Sequence, residues 1–391
     1  MNILTATQIK TANAMHALSH KIHLFIDSFV LRHPHFYLPL VTAVALIAYL
    51  FLLLFPALVV VSLMNIIDSI TAGTGDWATI AIWAGIMIIS AFISYRSTQV
   101  KLAQPVGLAL TEDKAPELFM LVDKLRESYG FPAIQRILIT GDYELDIIKT
   151  PRWILPVLFS NTLLIGLPVL QCHTPQHMEC LIARRIGQFS KQDNKLTNWL
   201  YQLRTVWTLY YSSLARQKIF GTELLRGFFF IYAPFYSALS TFAARIDELK
   251  ADNYAMQIYN HEIISEMITA DAVYQTILRD HFWPAVYRIS EITASSRPAP
   301  HAKMAMAVRN KINDKTLVTL LDDVMKRESE WLDAKPSIDR RLKNIGHDTP
   351  RMQISEGKTA VDFYLKNSKN GLINLLDKLW QKSYYEKKSP V

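Results

Sequence analysis

From His33 to Ile67 the chain carries no Asp, Glu, Lys or Arg, and this run constrains the fold more than any other feature. A helix needs about 20 predominantly apolar residues to cross a bilayer, and the run is well beyond that. Its centre, FYLPLVTAVALIAYLFLLLF, is a spanning signal. Pro56 is a place to kink or end the membrane portion, with the rest, up to Ile67, extending beyond the hydrocarbon. A second uncharged run, Trp77 to Tyr95, has Trp at one end and Tyr at the other, as the interfacial belts of a bilayer favour. Between the two lies a short loop, Asp68 to Asp76, with two acids, two glycines and no basic residue. Lys10, Lys21 and Arg32 precede the first run, and Arg96 and Lys101 follow the second. Positive charge stays on the cytoplasmic side, so both flanks are expected inside and the small loop outside. The long stretch ahead of the first run argues against a cleavable signal peptide. A hairpin buried in a soluble core is the alternative, and length decides against it.

Three segments follow from this. Residues 1–32 place Met15, Leu18, Ile22, Phe25 and Phe29 at helical spacing, which predicts an amphipathic helix packed on the domain or lying at the membrane surface. Residues 33–96 form the hairpin, with spans near 36–60 and 77–95. Residues 97–391 form the cytoplasmic domain. Half of the 391 residues are hydrophobic, and the net charge is +8 with a pI near 9.2. A basic balance suits a protein lying against anionic lipid. It also suits nucleic acid, but no zinc finger, basic helix or RNA-recognition pattern is present. Two cysteines, Cys172 and Cys180, make no disulfide framework and fit a reducing compartment.

The domain reads as α+β and predominantly helical. Helical spacing over Ala115–Tyr129 ends at Gly130, RILIT (136–140) reads as a strand, and Trp153–Phe159 and Thr162–Gly166 read as a hairpin closed by Ser160-Asn161. Thr174-Pro175 is a helix start, and that helix continues through Met178, Leu181, Ile182, Ile186 and Phe189. Helical patterns run on, with breaks, to about Asp333. Phe228–Ala244 is uncharged, rich in aromatics and interrupted by Pro234. It reads as a core or membrane-facing helix rather than a third crossing.

The segments GLPVLQCHTPQHMECLIARRIGQ (166–188), ARIDELKAD (244–252) and AKPSIDRRL (334–342) follow the hydrophobic hairpin in that order, with HPHFY (33–37) and FWPAVY (282–287) as smaller landmarks. In this order they resemble the integral-membrane zinc metallopeptidases of the HtpX and CAAX-prenyl-endopeptidase type, most closely the bacterial relatives with a two-helix N-terminal anchor. The resemblance covers nearly the whole chain. It implies a zincin-like metallopeptidase domain with a small mixed sheet, in a multi-pass protein of the inner membrane whose bulk is cytoplasmic.

The family's chemistry needs two His at i and i+4 to hold zinc, a Glu between them to activate water, and a Glu on a second helix as third ligand. Carried over, the first His falls on Arg184, the general-base Glu on Arg185 and the second His on Gln188. Glu248 remains at the third ligand position, with Asp252 one turn on. The family's Asn-Ala step at the substrate-side edge falls on Glu144-Leu145, and the His of a late His-Pro step falls on Lys335. Arg245 holds a position of structural rather than chemical use. Arginine has no lone pair to offer a metal and no basicity to spare, so no catalytic residue, metal ligand or zinc cofactor is expected.

Glu248 then reads as the ion-pair partner of Arg184 across the vacated site, with a surviving ligand as the alternative. Arg185 pairs with Asp252, binds an anion or is solvated. His173, His177, Cys172 and Cys180 cluster around a helix start, but their spacing matches no structural zinc pattern. The basic tail (Lys378, Lys382, Lys387, Lys388) reads as a solvated end, with contact to anionic lipid as the alternative. The expected function is an inactive, membrane-anchored peptidase homologue that binds the bilayer and a peptide, a membrane protein or an active protease relative, and no nucleic acid. The competing readings are a zinc endopeptidase with unusual ligands, acting in protein quality control, and a purely structural membrane protein.

Overall fold

The computed structural model describes residues 34–71, 73, 76–151, 159–190, 195–217, 219–292, 297–329, 333–352 and 357–386. The expected amphipathic helix of residues 1–32 lies outside them, as do Lys387 and Lys388. The molecule is mostly helical with one small mixed sheet.

The first apolar run folds as one helix, α1 (Pro34–Thr71), which continues through Pro39 and Pro56. The second folds as α2 (Trp77–Thr98), capped by the Asp76 carboxylate, which accepts from the Ala78 amide. Both are long and apolar enough to cross a membrane. The sheet follows: β1 (Leu108–Leu110), β2 (Arg136–Thr140), β3 (Leu145–Pro151) and β4 (Phe159–Gly166), in the order β1-β2-β4-β3. Helix α3 (Pro116–Ser128) connects β1 to β2 and buries Leu118, Val122 and Leu125. The pair β2 and β4 is parallel, and the two outer pairings are antiparallel. In β4, Leu163, Leu164 and Ile165 are all buried, the continuous apolar pattern of a central strand covered on both faces.

The expected hairpin turn at Ser160-Asn161 is wrong. Both residues lie inside β4, opposite Thr150 and Lys149, and the described partner of β4 is Leu145–Pro151; of the expected strand Trp153–Phe159, all but Phe159 lies outside the described residues. Asn161 is held in the sheet by its neighbours: its amide donates to Gln135 Oε1 at 2.6 Å and its side-chain nitrogen to Ala133 O at 3.0 Å. A polar pair that resembles a turn is thus satisfied from the adjacent loop.

After β4 come α4 (Leu167–Cys172) and α5 (Pro175–Gln188), the latter capped by Thr174 Oγ1, which accepts from the His177 amide. From His177 to Gln188 every residue of α5 except Glu179 is buried. Glu179 accepts from the hydroxyls of Tyr259 and Tyr364. Helices α6 (Lys195–Gln217) and α7 (Glu223–Met256) form an antiparallel pair. The Phe228–Ala244 run is the first part of α7, which is itself long and apolar enough to cross a membrane. One face of it packs on α1: Tyr37 Oη donates to Leu239 O at 2.7 Å and accepts from the Ala243 amide at 3.1 Å. The Phe51 and Phe228 rings stack at 3.9 Å.

The remaining helices are α8 (His261–Ile277), α9 (Trp283–Ile292), α10 (Pro300–Lys311), α11 (Asp314–Lys326), α12 (Ile338–Asn344), α13 (Ala360–Tyr364) and α14 (Lys369–Glu386). Helical structure therefore continues well past Asp333, where the sequence patterns fade. The last helix, α14, buries Ile373 and Leu376 and leaves Lys378 and Lys382 exposed, so this part of the basic tail is an ordered helix face.

Candidate functional site

The site lies where α5 crosses α7. Gly187 sits at the crossing: a Cβ built there would lie 2.5 Å from Tyr254 Cβ, so only glycine lets the two helices approach this closely. The Tyr129 hydroxyl donates to Tyr254 O at 2.6 Å and pins the same point.

With the helices this close, residues one turn apart on each face each other. Arg184 Nη2 donates to Glu248 Oε2, and Arg184 Nε donates to Asp252 Oδ1 at 2.6 Å. Arg185 Nη1 donates to Glu248 Oε1 at 2.7 Å and to Gln188 Oε1 at 2.7 Å. Gln188 Nε2 completes the ring to Glu248 Oε1 at 3.3 Å, and the Tyr201 hydroxyl reaches the same oxygen at 3.4 Å. From α12, Arg341 donates to both oxygens of Asp252, at 2.8 and 3.0 Å. Glu248 is 1 % exposed and Asp252 fully buried.

Three guanidinium groups thus face Glu248, Asp252 and the Asp146 carboxylate, which lies 3.9 Å from Arg185 Nε. The charges cancel, as a buried cluster requires. Burial alone would push the arginines down, but Glu248 with Asp252 for Arg184, and Glu248 with Asp146 for Arg185, hold both above the ordinary guanidinium value.

The expected pairing of Arg184 with Glu248 is therefore present, although Arg184 bridges Glu248 and Asp252 rather than gripping one carboxylate with both prongs. The alternatives for Arg185 are corrected. It pairs with Glu248, not Asp252, and it neither stands in solvent nor reaches into an open cleft. Long guanidinium arms place the charge several bonds from the backbone, and helical spacing does not set where it lands.

Leu145 joins the site through its backbone, its carbonyl accepting from Arg185 Nε at 3.1 Å. The next amide along β3 with that outlook, Ile147 N, donates to the Asp146 side chain at 2.8 Å. Two groups on the outer edge of β3 are therefore already bonded. Glu144 and Lys335 stand apart from the arginine cluster. Burial raises the Glu144 carboxyl, with the Thr140 hydroxyl and Lys335 acting against it. Arg245 lies outside the cluster, and its Nε donates to Asp333 O at 3.0 Å. Arg341, Tyr201 and Asp146 were not singled out from the sequence. The signal for Arg341 lay in AKPSIDRRL, where a basic pair follows the Lys335-Pro336 step without stating its partner.

The His–Cys cluster is a separate feature. His173 Nε2 bonds the Tyr143 hydroxyl at 2.8 Å, and that hydroxyl donates to Asp271 Oδ1 at 2.9 Å. His177 lies beside His173, with ring centroids 5.9 Å apart. Burial pushes the Cys180 thiol up to about 12. Among the described residues no group of three or more His, Cys, Asp or Glu is arranged to hold a metal. A cavity of about 570 Å³ opens elsewhere, between Asp142, Trp283, His301 and Trp380, and not at the arginines.

The donor set does not fit zinc. Arg184 and Arg185 offer no lone pair, and both oxygens of Glu248 are already accepting from them. Comparison with protein-family models, with curated proteins and with solved structures finds no match for this chain.

Proposed function

We propose that this chain is a catalytically inactive, membrane-anchored homologue of the HtpX-type zinc metallopeptidases, with a binding or regulatory role at the cytoplasmic face of the inner membrane. One observation carries the reading: Arg184 and Arg185 occupy both oxygens of the carboxylate that would be the third zinc ligand. An ionic cross-link between α5 and α7 stands where a metal would otherwise tie the same two helices. The zincin-like reading of the domain draws support from three features: the α5–α7 crossing, the small mixed sheet beside it, and an edge strand running past the site.

The bonded edge at Leu145 and Ile147 bears on what is recognised. An extended peptide adds to a sheet edge through free backbone groups, and here Arg185 and Asp146 already hold two of them. A membrane protein or an active protease relative, engaged over the domain surface, therefore fits better than a peptide threaded along β3.

Metal content of protein purified without added metal is the test. The expected result is less than a tenth of an equivalent of zinc and no proteolysis that chelator abolishes. Near-stoichiometric zinc, lost together with peptidase activity in chelator, would overturn the proposal. A photo-crosslinking residue at Glu144 then separates binding from a purely structural role: a discrete adduct in membranes is expected, and its absence favours structure alone.

A further inference from the structure

Helix α1 is 38 residues long, about 57 Å at 1.5 Å per residue, nearly twice the hydrocarbon thickness. Helix α2 is different: its uncharged part, Trp77–Tyr95, fits one crossing, and Arg96 follows at once. The two helices pack side by side from a short loop, so α2 lies alongside only the second half of α1. One face of the first half of α1 is occupied otherwise, with Tyr37, Val41, Ala45, Ala48, Leu52 and Phe55 buried against α6 and α7, while Leu46, Ile47, Leu50, Leu53 and Leu54 on its other side are exposed.

The turn between α6 and α7 sits level with Arg96. Arg96 Nε donates to Phe220 O at 2.6 Å, and the Phe92 ring lies so close to Gly221 that a Cβ there would stand 2.3 Å from it. From that level the chain runs on without helix from Val100 to Gly107, alongside α6. Gln217 brackets the Lys101 backbone, and Ser213 Oγ accepts from the Ala103 amide at 3.2 Å. Lipid-exposed irregular backbone is not tolerated in hydrocarbon. The bilayer therefore ends at Arg96, and the α6–α7 turn rests at its inner surface.

The turn is built for such a place. Phe220 at its tip is 73 % exposed and Leu224 55 %. Arg216 and Lys101 are exposed and Arg226 half-buried, and among the described residues none of the three has an ion-pair partner. The acid within the turn, Glu223, is turned back to accept from the Gly221 amide at 2.9 Å. Resting on the reading of α1 and α2 as membrane spans, but with the crossing of α1 set in its second half beside α2 rather than at 36–60, we propose that this turn is an anionic phospholipid site: Phe220 enters the inner leaflet, and Lys101, Arg216 and Arg226 take lipid phosphates.

The full chain in nanodiscs tests this, with phosphatidylglycerol and phosphatidylcholine competing for retention in native mass spectrometry. Phosphatidylglycerol should be retained preferentially, and each of Lys101→Gln, Arg216→Gln and Arg226→Gln should lower the preference about fivefold. Lys366→Gln, just beyond α13 and paired with Glu117, should leave it unchanged. Equal retention of the two lipids, or a triple variant with the preference intact, overturns the site. A nitroxide at Phe220→Cys, in a Cys172→Ser, Cys180→Ser background, should be broadened by a lipid-soluble relaxant, and Ile47→Cys should react with a membrane-impermeant thiol reagent. A shielded Ile47→Cys would place the bilayer around the first half of α1 and remove the turn from its surface. Neither result depends on zinc content, so failure here is distinct from failure of the inactive-peptidase reading.

Discussion

Breaking a buried ion pair from one side leaves an uncompensated charge, at a cost of about 3–5 kcal/mol. Glu248→Gln should therefore lower stability by that order in denaturant unfolding of the detergent-solubilised protein, because Arg184 and Arg185 lose their shared counter-charge together and one of them meets an NH2 donor. Arg185→Met should cost less alone, and the double variant should recover more than 1 kcal/mol relative to the sum; strictly additive losses would show that the three groups do not act as a unit. His177 makes a separate prediction. Burial, aided by neighbouring His173, depresses it to about 3, and its Nδ1 has no partner among the described residues. The unfolded state takes up a proton below about pH 6.5 that the folded state refuses, so stability is lost as pH falls from there, by about 1.4 kcal/mol per unit. The Glu266 carboxylate, 3.9 Å away, is partly exposed and screened. His177→Asn should flatten the slope between pH 6.5 and 4.5, and an unchanged slope would assign it to other groups. At this scale the Arg184–Glu248 pair was legible only through the resemblance, which sets both positions at one zinc site. It could not show Arg341, whose partner Asp252 lies 89 positions away and whose link exists only once α12 docks.

Among the elements, the α5–α7 crossing depends on one residue. Gly to Ala inside a helix ordinarily gains about 1 kcal/mol. At Gly187 the sign should reverse, because the added methyl meets Tyr254 Cβ, an atom fixed close to the backbone. Gly187→Ala should lower the unfolding midpoint, whereas Gly371→Ala, on the open face of α14 with nothing within 4 Å, should leave it level or raise it. Equal responses at the two sites would mean the helices can part at no cost. The elements themselves were unevenly legible. Helix α5 announced its cap and its apolar face, and α1 and α2 announced themselves by length. Strand β3 did not: Asp146, Lys149 and Pro151 break its pattern, as suits an edge strand with one side facing the charged site. Ser160-Asn161 then offered a false turn, which only the Gln135 and Ala133 contacts explain.

For the molecule as a whole, the arginine cluster and a zinc site are alternative ways to tie α5 to α7, and they can be exchanged experimentally. The triple variant Arg184→His, Arg185→Glu, Gln188→His places imidazoles one turn apart on the buried face of α5 and frees Glu248. Asp252 keeps its partner, because Arg341 holds both its oxygens as it does now. Without metal, Glu248 then faces a second carboxylate in a buried setting, so the apo variant should unfold well below the parent. Zinc should reverse this: at a thousandfold excess over its dissociation constant a bound ligand adds about 4 kcal/mol, and zinc content should rise to about one equivalent while the parent stays empty under the same conditions. The two halves of the result carry different information. A destabilised variant that zinc rescues means α5 and α7 still stand at metal-binding separation, and that three side chains account for the missing chemistry. A destabilised variant that zinc does not rescue means the helices have settled at a spacing suited only to guanidinium groups, and the likeness to a zinc peptidase would then extend to the order of the segments and no further.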